Sequence, residues 1–214
     1  MLRVPRAGMV SWAGHLKTPY SETQMSLAKF LSRFPEADEA HVAAILRDDQ
    51  ITTSIGRSRA FFYAQIAHET GGFRRFEENL RYSAPRLMAV WPSRFPTRAM
   101  ADRYANQPEM LANFVYGGRL GNTEAGDGWR FRGRGYVQLT GRKNYTALGI
   151  DDKPDLASDP EHALSIADLW WHQNMRPADF VNIEANTRRL NGGQVGIEER
   201  HRNFEWALDD GLAG

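Results

Sequence analysis

The sequence contains no cysteine, which excludes disulfides, zinc knuckles and thiol nucleophiles together and fits a reducing compartment. It has no run of about 18 uncharged apolar residues, so neither a spanning helix nor stable membrane insertion is expected. The opening stretch, MLRVPRAGMVSWAGHLKTPYSET, carries Arg3 and Arg6 but lacks the apolar segment of about 7–15 residues that a secretory signal needs. An excess of one charge is missing too. The 27 Lys+Arg residues face 26 Asp+Glu, a net charge of +1, whereas a dedicated nucleic-acid binder carries a marked basic surplus. Lysine is scarce: Lys17, Lys29, Lys143 and Lys153 are the only ones. The remaining cations are arginines, suited to bidentate contacts with carboxylates and to stacking on aromatic or sugar faces.

What is present is enough apolar material for one domain: 214 residues, 42% hydrophobic and 11% aromatic. Residues 1–20 read as a loosely ordered leader and residues 21–214 as a single domain. Ser21 with Gln24 forms a capping-box pattern that opens a helix to about Arg33, stopped by Pro35. Ala37 to Arg47 is amphipathic, with Val42, Ile45 and Leu46 on one side. A third helix runs from about Ser58 to Thr70 and ends at Gly71-Gly72. Further helices are expected at Ala84–Val90, Thr97–Asn106, Pro108–Tyr116, Glu161–Asn174 (behind a Ser158/Glu161 capping box), Asp179–Leu190 and Ile197–Leu208. The last carries a stripe of Ile197, His201, Phe204 and Leu208. Between Gly117 and Gly141, glycines interrupt aromatics and YVQLT alternates, which predicts a long loop with a small β-hairpin. The fold class is mainly α, a helical bundle with a small β element lining a cleft.

Chemistry concentrates in Ala64–Ser83, AQIAHETGGFRRFEENLRYS. In one continuous helix Glu69 and Glu78, nine residues apart, would point to opposite faces, roughly 13 Å apart along the axis. Gly71-Gly72 breaks that helix and lets the chain fold back, so a carboxylate pair becomes possible. Glu69 shares the inward face of its helix with Phe62, Gln65 and Ile66. A carboxyl beside apolar side chains at the negative end of a helix dipole should have its pKa raised, as a general acid at a glycosidic oxygen requires. Glu78, near Arg74, Arg75 and Arg81, is expected to stay ionised and act as base. Spacing alone leaves two alternatives open: Glu77 in place of Glu78, or an exposed ion-pair patch of little energetic weight.

His68-Glu69 starts like a zincin motif, but position 72 is glycine where the second histidine should stand, and His15, His41, His162, His172 and His201 form no ligand-spaced pair. No metal is expected. GRGYVQ, with Gly133 and Gly135, lacks the third glycine of a dinucleotide fingerprint and the GK[ST] of a P-loop. Arg130, Arg132 and Arg134 are one small cluster in a near-neutral chain, too little to predict nucleic-acid binding. Gln138, Thr140 and Asn144 offer uncharged hydrogen-bonding groups, while Trp129, Tyr136 and Tyr145 offer flat apolar faces if they are not simply core. That combination suits a carbohydrate.

The motifs AQIAHETGGF, EENLRYS, ANFVYGGRLGN, GDGWRFRGRGYVQLTGRKNY and LNGG, in this order between about Gly56 and Trp206, resemble glycoside hydrolase family 19. The resemblance is nearest to the compact endolysins of tailed bacteriophages. It implies a lysozyme-superfamily fold and hydrolysis of a β-1,4 bond with inversion, without cofactor. Glu69 in HETGG matches the family's general acid. Glu78 in EENL matches the carboxylate that activates water, which selects it over Glu77, and Thr140 in QLTG matches a Ser/Thr that helps to hold that water. Gln138, Asn144 and Asn191 match sugar-contacting positions, and Tyr145 and His68 are placed with them as substrate-binding residues. The implied role is a monomeric endolysin that cuts peptidoglycan glycan strands between N-acetylmuramic acid and N-acetylglucosamine. It would be made in the host bacterial cytoplasm and would reach the wall after release by a separate holin-like protein. A chitinase acting on N-acetylglucosamine polymers is the nearest alternative reading. A non-catalytic wall-binding module, in which the glutamates are dispensable, is the alternative from another class.

Overall fold

The computed structural model describes residues 25–47, 57–210 and 212. The leader expected at residues 1–20 and the Ser21/Gln24 capping pair lie outside the described residues. The order of elements is α1 (Leu27–Arg33), α2 (Glu39–Arg47), α3 (Arg57–Glu69), α4 (Ala84–Val90), α5 (Arg98–Tyr104), α6 (Pro108–Tyr116), α7 (Asp127–Arg130), α8 (Arg142–Ala147), a 3₁₀ turn at Pro154–Ser158, α9 (Ala163–Asn174), a second 3₁₀ turn at Pro177–Phe180, α10 (Ile183–Asn191) and α11 (Ile197–Asp209). Side-chain caps set several starts: Ser26 accepts the Lys29 N–H at 3.1 Å, Thr97 that of Met100 at 3.3 Å and Asn182 that of Ala185 at 2.8 Å.

Three apolar clusters hold these elements. The largest joins α1, α2, α3, α9, α10 and α11 around Phe30, Phe61, Phe62, Trp171, Phe204 and Trp206. A second is formed by α4, α5 and α6 around Leu87, Phe95 and Leu111. The third, with Phe131, Leu139, Tyr145 and Leu148, lies under the glycine-rich segment. The most extensive pairing of described elements is α11 along α3.

Three expectations need correction. The hairpin is reduced, among the described residues, to two isolated antiparallel bridges, Glu77 with Arg134 and Arg134 with Leu139. Arg134 and Leu139 exchange both backbone hydrogen bonds at 3.1 and 2.8 Å, but the chain between them curls at once, with Gln138 in the left-handed region at φ 50°, so no ladder extends. The Ser158/Glu161 capping box does not form. Asp159 instead accepts the Glu161 N–H at 3.0 Å and Ser158 turns its hydroxyl to Glu77, so α9 begins at Ala163. On α11 the buried residues are Arg200, Asn203, Phe204, Trp206 and Ala207; of the expected stripe Phe204 is among them and Ile197 packs against the same cluster, but His201 is only half-buried and Leu208 is exposed.

Candidate active site

Glu69 is the last residue of α3. The helix closes there in a Schellman motif: the Gly72 N–H reaches the Ala67 carbonyl at 2.7 Å and the Gly71 N–H that of His68 at 3.0 Å. Gly71 adopts φ +62°, a conformation that costs a glycine little and a side chain more. The inward placement of Glu69 is as expected, but its surroundings are not wholly apolar. The Arg200 Nη2 donates to Glu69 Oε1 at 2.5 Å, and its Nη1 donates to Gln65 Oε1, whose own amide donates to Thr187 at 2.9 Å. Arg200 is 1% exposed. A buried cation therefore joins α11 to the acidic tip of α3, and the Glu69 side chain keeps 22% of its surface open. His68 turns to the other side of that tip, 2.7 Å from Glu199 through Nδ1.

Glu78 lies beyond the bend in extended chain. Its Oε2 accepts the Tyr116 hydroxyl at 2.7 Å and its Oε1 the Gly133 N–H at 2.6 Å, while its own N–H donates to the Gly133 carbonyl at 2.9 Å. Arg74, Arg75 and Arg81 are not its partners: Arg74 pairs with Glu36 and Arg75 lies against Gly71. Burial first, then the charge and hydrogen bond of Glu78, push the Tyr116 hydroxyl far up, so it remains a donor at any physiological pH. Glu77 points elsewhere, to Arg132 at 2.7 Å, Arg134 at 3.3 Å and Ser158 at 3.2 Å. Burial works to raise its pKa. The hydrogen bond and charge of Arg132, joined by Arg134, outweigh that and hold it below the ordinary carboxylate range.

Thr140 and Gln138 gather with Glu78 around Gly133. A Cβ placed on Gly133 would stand 3.3 Å from the Thr140 hydroxyl, 3.3 Å from Gln138 Oε1 and 3.4 Å from the Glu78 carboxyl carbon. Asn144 sits behind them, its amide donating to the Thr140 carbonyl at 2.7 Å. Asn191 is exposed at the end of α10 and accepts the Gly193 N–H at 2.8 Å. The loop it begins returns to Gly196, which packs against the His68 ring. Tyr145 is 0% exposed and packs on Phe131, its hydroxyl given to the Arg132 carbonyl at 2.8 Å, so it supports the wall from beneath and offers no face to a sugar. Tyr136 is likewise buried, and the Trp129 ring is covered by the Arg132 guanidinium at 4.0 Å. The sequence does not single out Tyr116 or Arg200: Tyr116 lies inside ANFVYGGRLGN, and Arg200 lies on the core side of α11, where apolar residues are expected.

Two carboxylates thus stand on either side of a helix break in a mainly helical fold, one gripped by a cation and one by neutral donors. The comparisons with known proteins supply the family. A Haemophilus influenzae glycosyl hydrolase family 19 domain-containing protein is 39% identical over 184 residues, 82% of this chain and 92% of its own length. The chain therefore belongs to glycosyl hydrolase family 19 and is chitinase-like. An Arabidopsis thaliana endochitinase is 29% identical over 147 residues, 64% of this chain, and this chain spans 40% of that protein. Among solved structures, chitinase C from Streptomyces griseus HUT6037 shares the fold with a TM-score of 0.52 at 19% identity, covering 91% of this chain and 96% of its own. Another bacterial family 19 chitinase does so with a TM-score of 0.50 at 23% identity over 89% and 95% of the two chains. No protein-family model matches the chain.

Proposed function

We propose that this protein is an inverting muramidase-type endolysin, hydrolysing the β-1,4 bond between N-acetylmuramic acid and N-acetylglucosamine in peptidoglycan. Glu69 protonates the departing glycosidic oxygen and Glu78, assisted by Thr140, takes the proton of the attacking water. Gln138 and the Asn191 loop contact sugars on either side, and His68 orients the Asn191 loop through Gly196. The single observation that carries the assignment is the pairing of Glu78 with Tyr116 and the Gly133 N–H. Both are uncharged donors aimed at one carboxylate, and the Thr140 hydroxyl stands beside them. Donors of this kind orient the carboxylate without pairing it with a cation, which suits a base whose proton must come from water.

The choice of wall glycan rests on the resemblance of the five motifs to compact phage endolysins. A chitinase is the second reading, and it is favoured by the named activities of the Streptomyces and Arabidopsis relatives. Release of reducing ends from purified sacculi and from colloidal chitin, measured side by side, separates the two, and mass spectrometry of the digests identifies the new reducing sugar. Glu69→Gln keeps an acceptor for Arg200 and should abolish hydrolysis of whichever substrate is cut, with the circular dichroism unchanged. Hydrolysis that survives this substitution would sink the reading of Glu69 as the acid, whereas a wild-type chain that binds sacculi but releases no reducing ends would be a non-catalytic wall-binding module.

A further inference from the structure

Glu77 and Glu78 are neighbours whose side chains leave an extended stretch of chain in opposite directions, as successive residues there must. Glu78 faces the reaction. We propose that Glu77 is the positioning residue of that base, clamping the chain on both sides of Gly133 so that the Gly133 N–H stays on the Glu78 carboxylate. The inference rests on reading Glu78 as the base.

The Glu77 carboxylate joins the two residues that flank Gly133. Its Oε2 accepts from Arg132 Nη2 at 2.7 Å and Nε at 3.3 Å, and its Oε1 accepts from Arg134 Nε at 3.3 Å and from the Ser158 hydroxyl at 3.2 Å. Neither cation is free to swing. Arg134 is 2% exposed and also donates to the Arg130 carbonyl at 2.8 Å and pairs with Asp155 at 2.9 Å. The Arg132 guanidinium lies 4.0 Å over Trp129. Gly133 sits between them with both backbone groups committed to Glu78, its N–H to Oε1 at 2.6 Å and its carbonyl to the Glu78 N–H at 2.9 Å. One anion thus fixes the residues before and after the amide that serves the base. Arg132 and Arg134 hold Glu77 below the ordinary carboxylate range against the effect of burial, so the clamp stays charged at neutral pH.

A clamp and an ordinary surface pair predict different things. With its side chain 44% exposed, Glu77 as a mere ion pair would contribute little to stability and nothing to rate. As a positioning residue it should govern kcat. Glu77→Gln keeps the shape and an acceptor but removes the charge. It should lower kcat about 10- to 100-fold, the scale of a small misplacement, leave KM within about twofold, and shift the thermal midpoint little. The amide hydrogen of Gly133, followed by NMR exchange in the full chain, should exchange at least about tenfold faster in the variant, a loosening of the order expected when one charge-assisted hydrogen bond is lost.

Arg132→Lys keeps a charge but breaks the fork on Oε2, and should show the same pattern, so the test survives if Glu77→Gln fails to fold. Unchanged kcat in a folded variant overturns the proposal. So does a loss of kcat with Gly133 exchange unaltered, or a rise in KM alone. Failure of the wild-type chain to cut either sacculi or chitin would instead defeat the proposed function, and would leave the exchange measurement to decide whether Glu77 holds Gly133.

Discussion

At Glu78 the partners are one phenol and one backbone amide, and each can be tested by itself. Tyr116→Phe removes the hydroxyl and leaves the ring that packs in the α4–α6 cluster. On the proposed reading of Glu78 as the base, its carboxylate then loses one of the two donors that orient it, and kcat should fall about 10- to 100-fold, the scale of a small misplacement. An unchanged kcat would show that the hydroxyl is ornamental to the base. On the other side of the site, Gly196 leaves room for His68: a Cβ there would lie 2.0 Å from the His68 Cε1. Gly196→Ala, also strained by φ +71°, should cost about 1–3 kcal/mol by overpacking and depress activity by displacing the loop, both readable from urea unfolding and a lysis assay. At this scale the motifs single out the two carboxylates and Thr140 as candidates but not the partners of the two acids, because a hydrogen bond between residues 38 or 131 positions apart leaves no local pattern.

Among the elements, the short helices that organise the glycine-rich segment depend on one buried acid. Asp127, at the start of α7, accepts the N–H groups of Thr123 and Glu124, each at 3.1 Å, and the Arg142 side chain of α8 at 2.8 Å. The hydrogen bond with Arg142 comes first in holding its pKa below the usual carboxylate range, helped by those amides and opposed by burial. A folded pKa lower than the unfolded one means stability that is complete above the unfolded value of about 3.9 and is lost as pH falls through the folded value. Asp127→Asn should thus unfold at lower urea than wild type at pH 7, by about 1–3 kcal/mol, and the gap should narrow once pH drops below about 4. A gap that is constant with pH would show that charge plays no part.

The same elements mark the limits of periodicity. The ends of α4 and α6 were readable because each begins at a proline-containing first turn. The segments α7, α8 and Pro154–Ser158 were missed because four to six residues are too few for a helical period to declare itself. On α11 periodicity finds Ile197 and Phe204, but not the polar Arg200 and Asn203 that are buried beside Phe204.

On the scale of the whole molecule, Glu78 stands where the three clusters meet. Phe76 belongs to the first, Leu80 to the second, and Gly133 lies beside Phe131 of the third. Glu69 ends α3, whose buried apolar residues lie in the first. Relative movement of the clusters would therefore change the disposition of the two acids, and an inverting enzyme must keep room between them for water. Time-resolved proton NMR of the first product should show the α-anomer. Initial accumulation of the β-anomer would require retention, and a different use of Glu78.

The bond between Arg200 and Glu69 also orders events in time. The two residues are 131 positions apart, so during synthesis the acid emerges from the ribosome long before the cation that engages it. Until α11 is extruded and docks along α3, Gln65 and Glu69 are without their guanidinium. A nascent chain tethered by a stalling sequence just after Leu190 should be inert towards glycans, and one tethered well beyond Asp209 should be active.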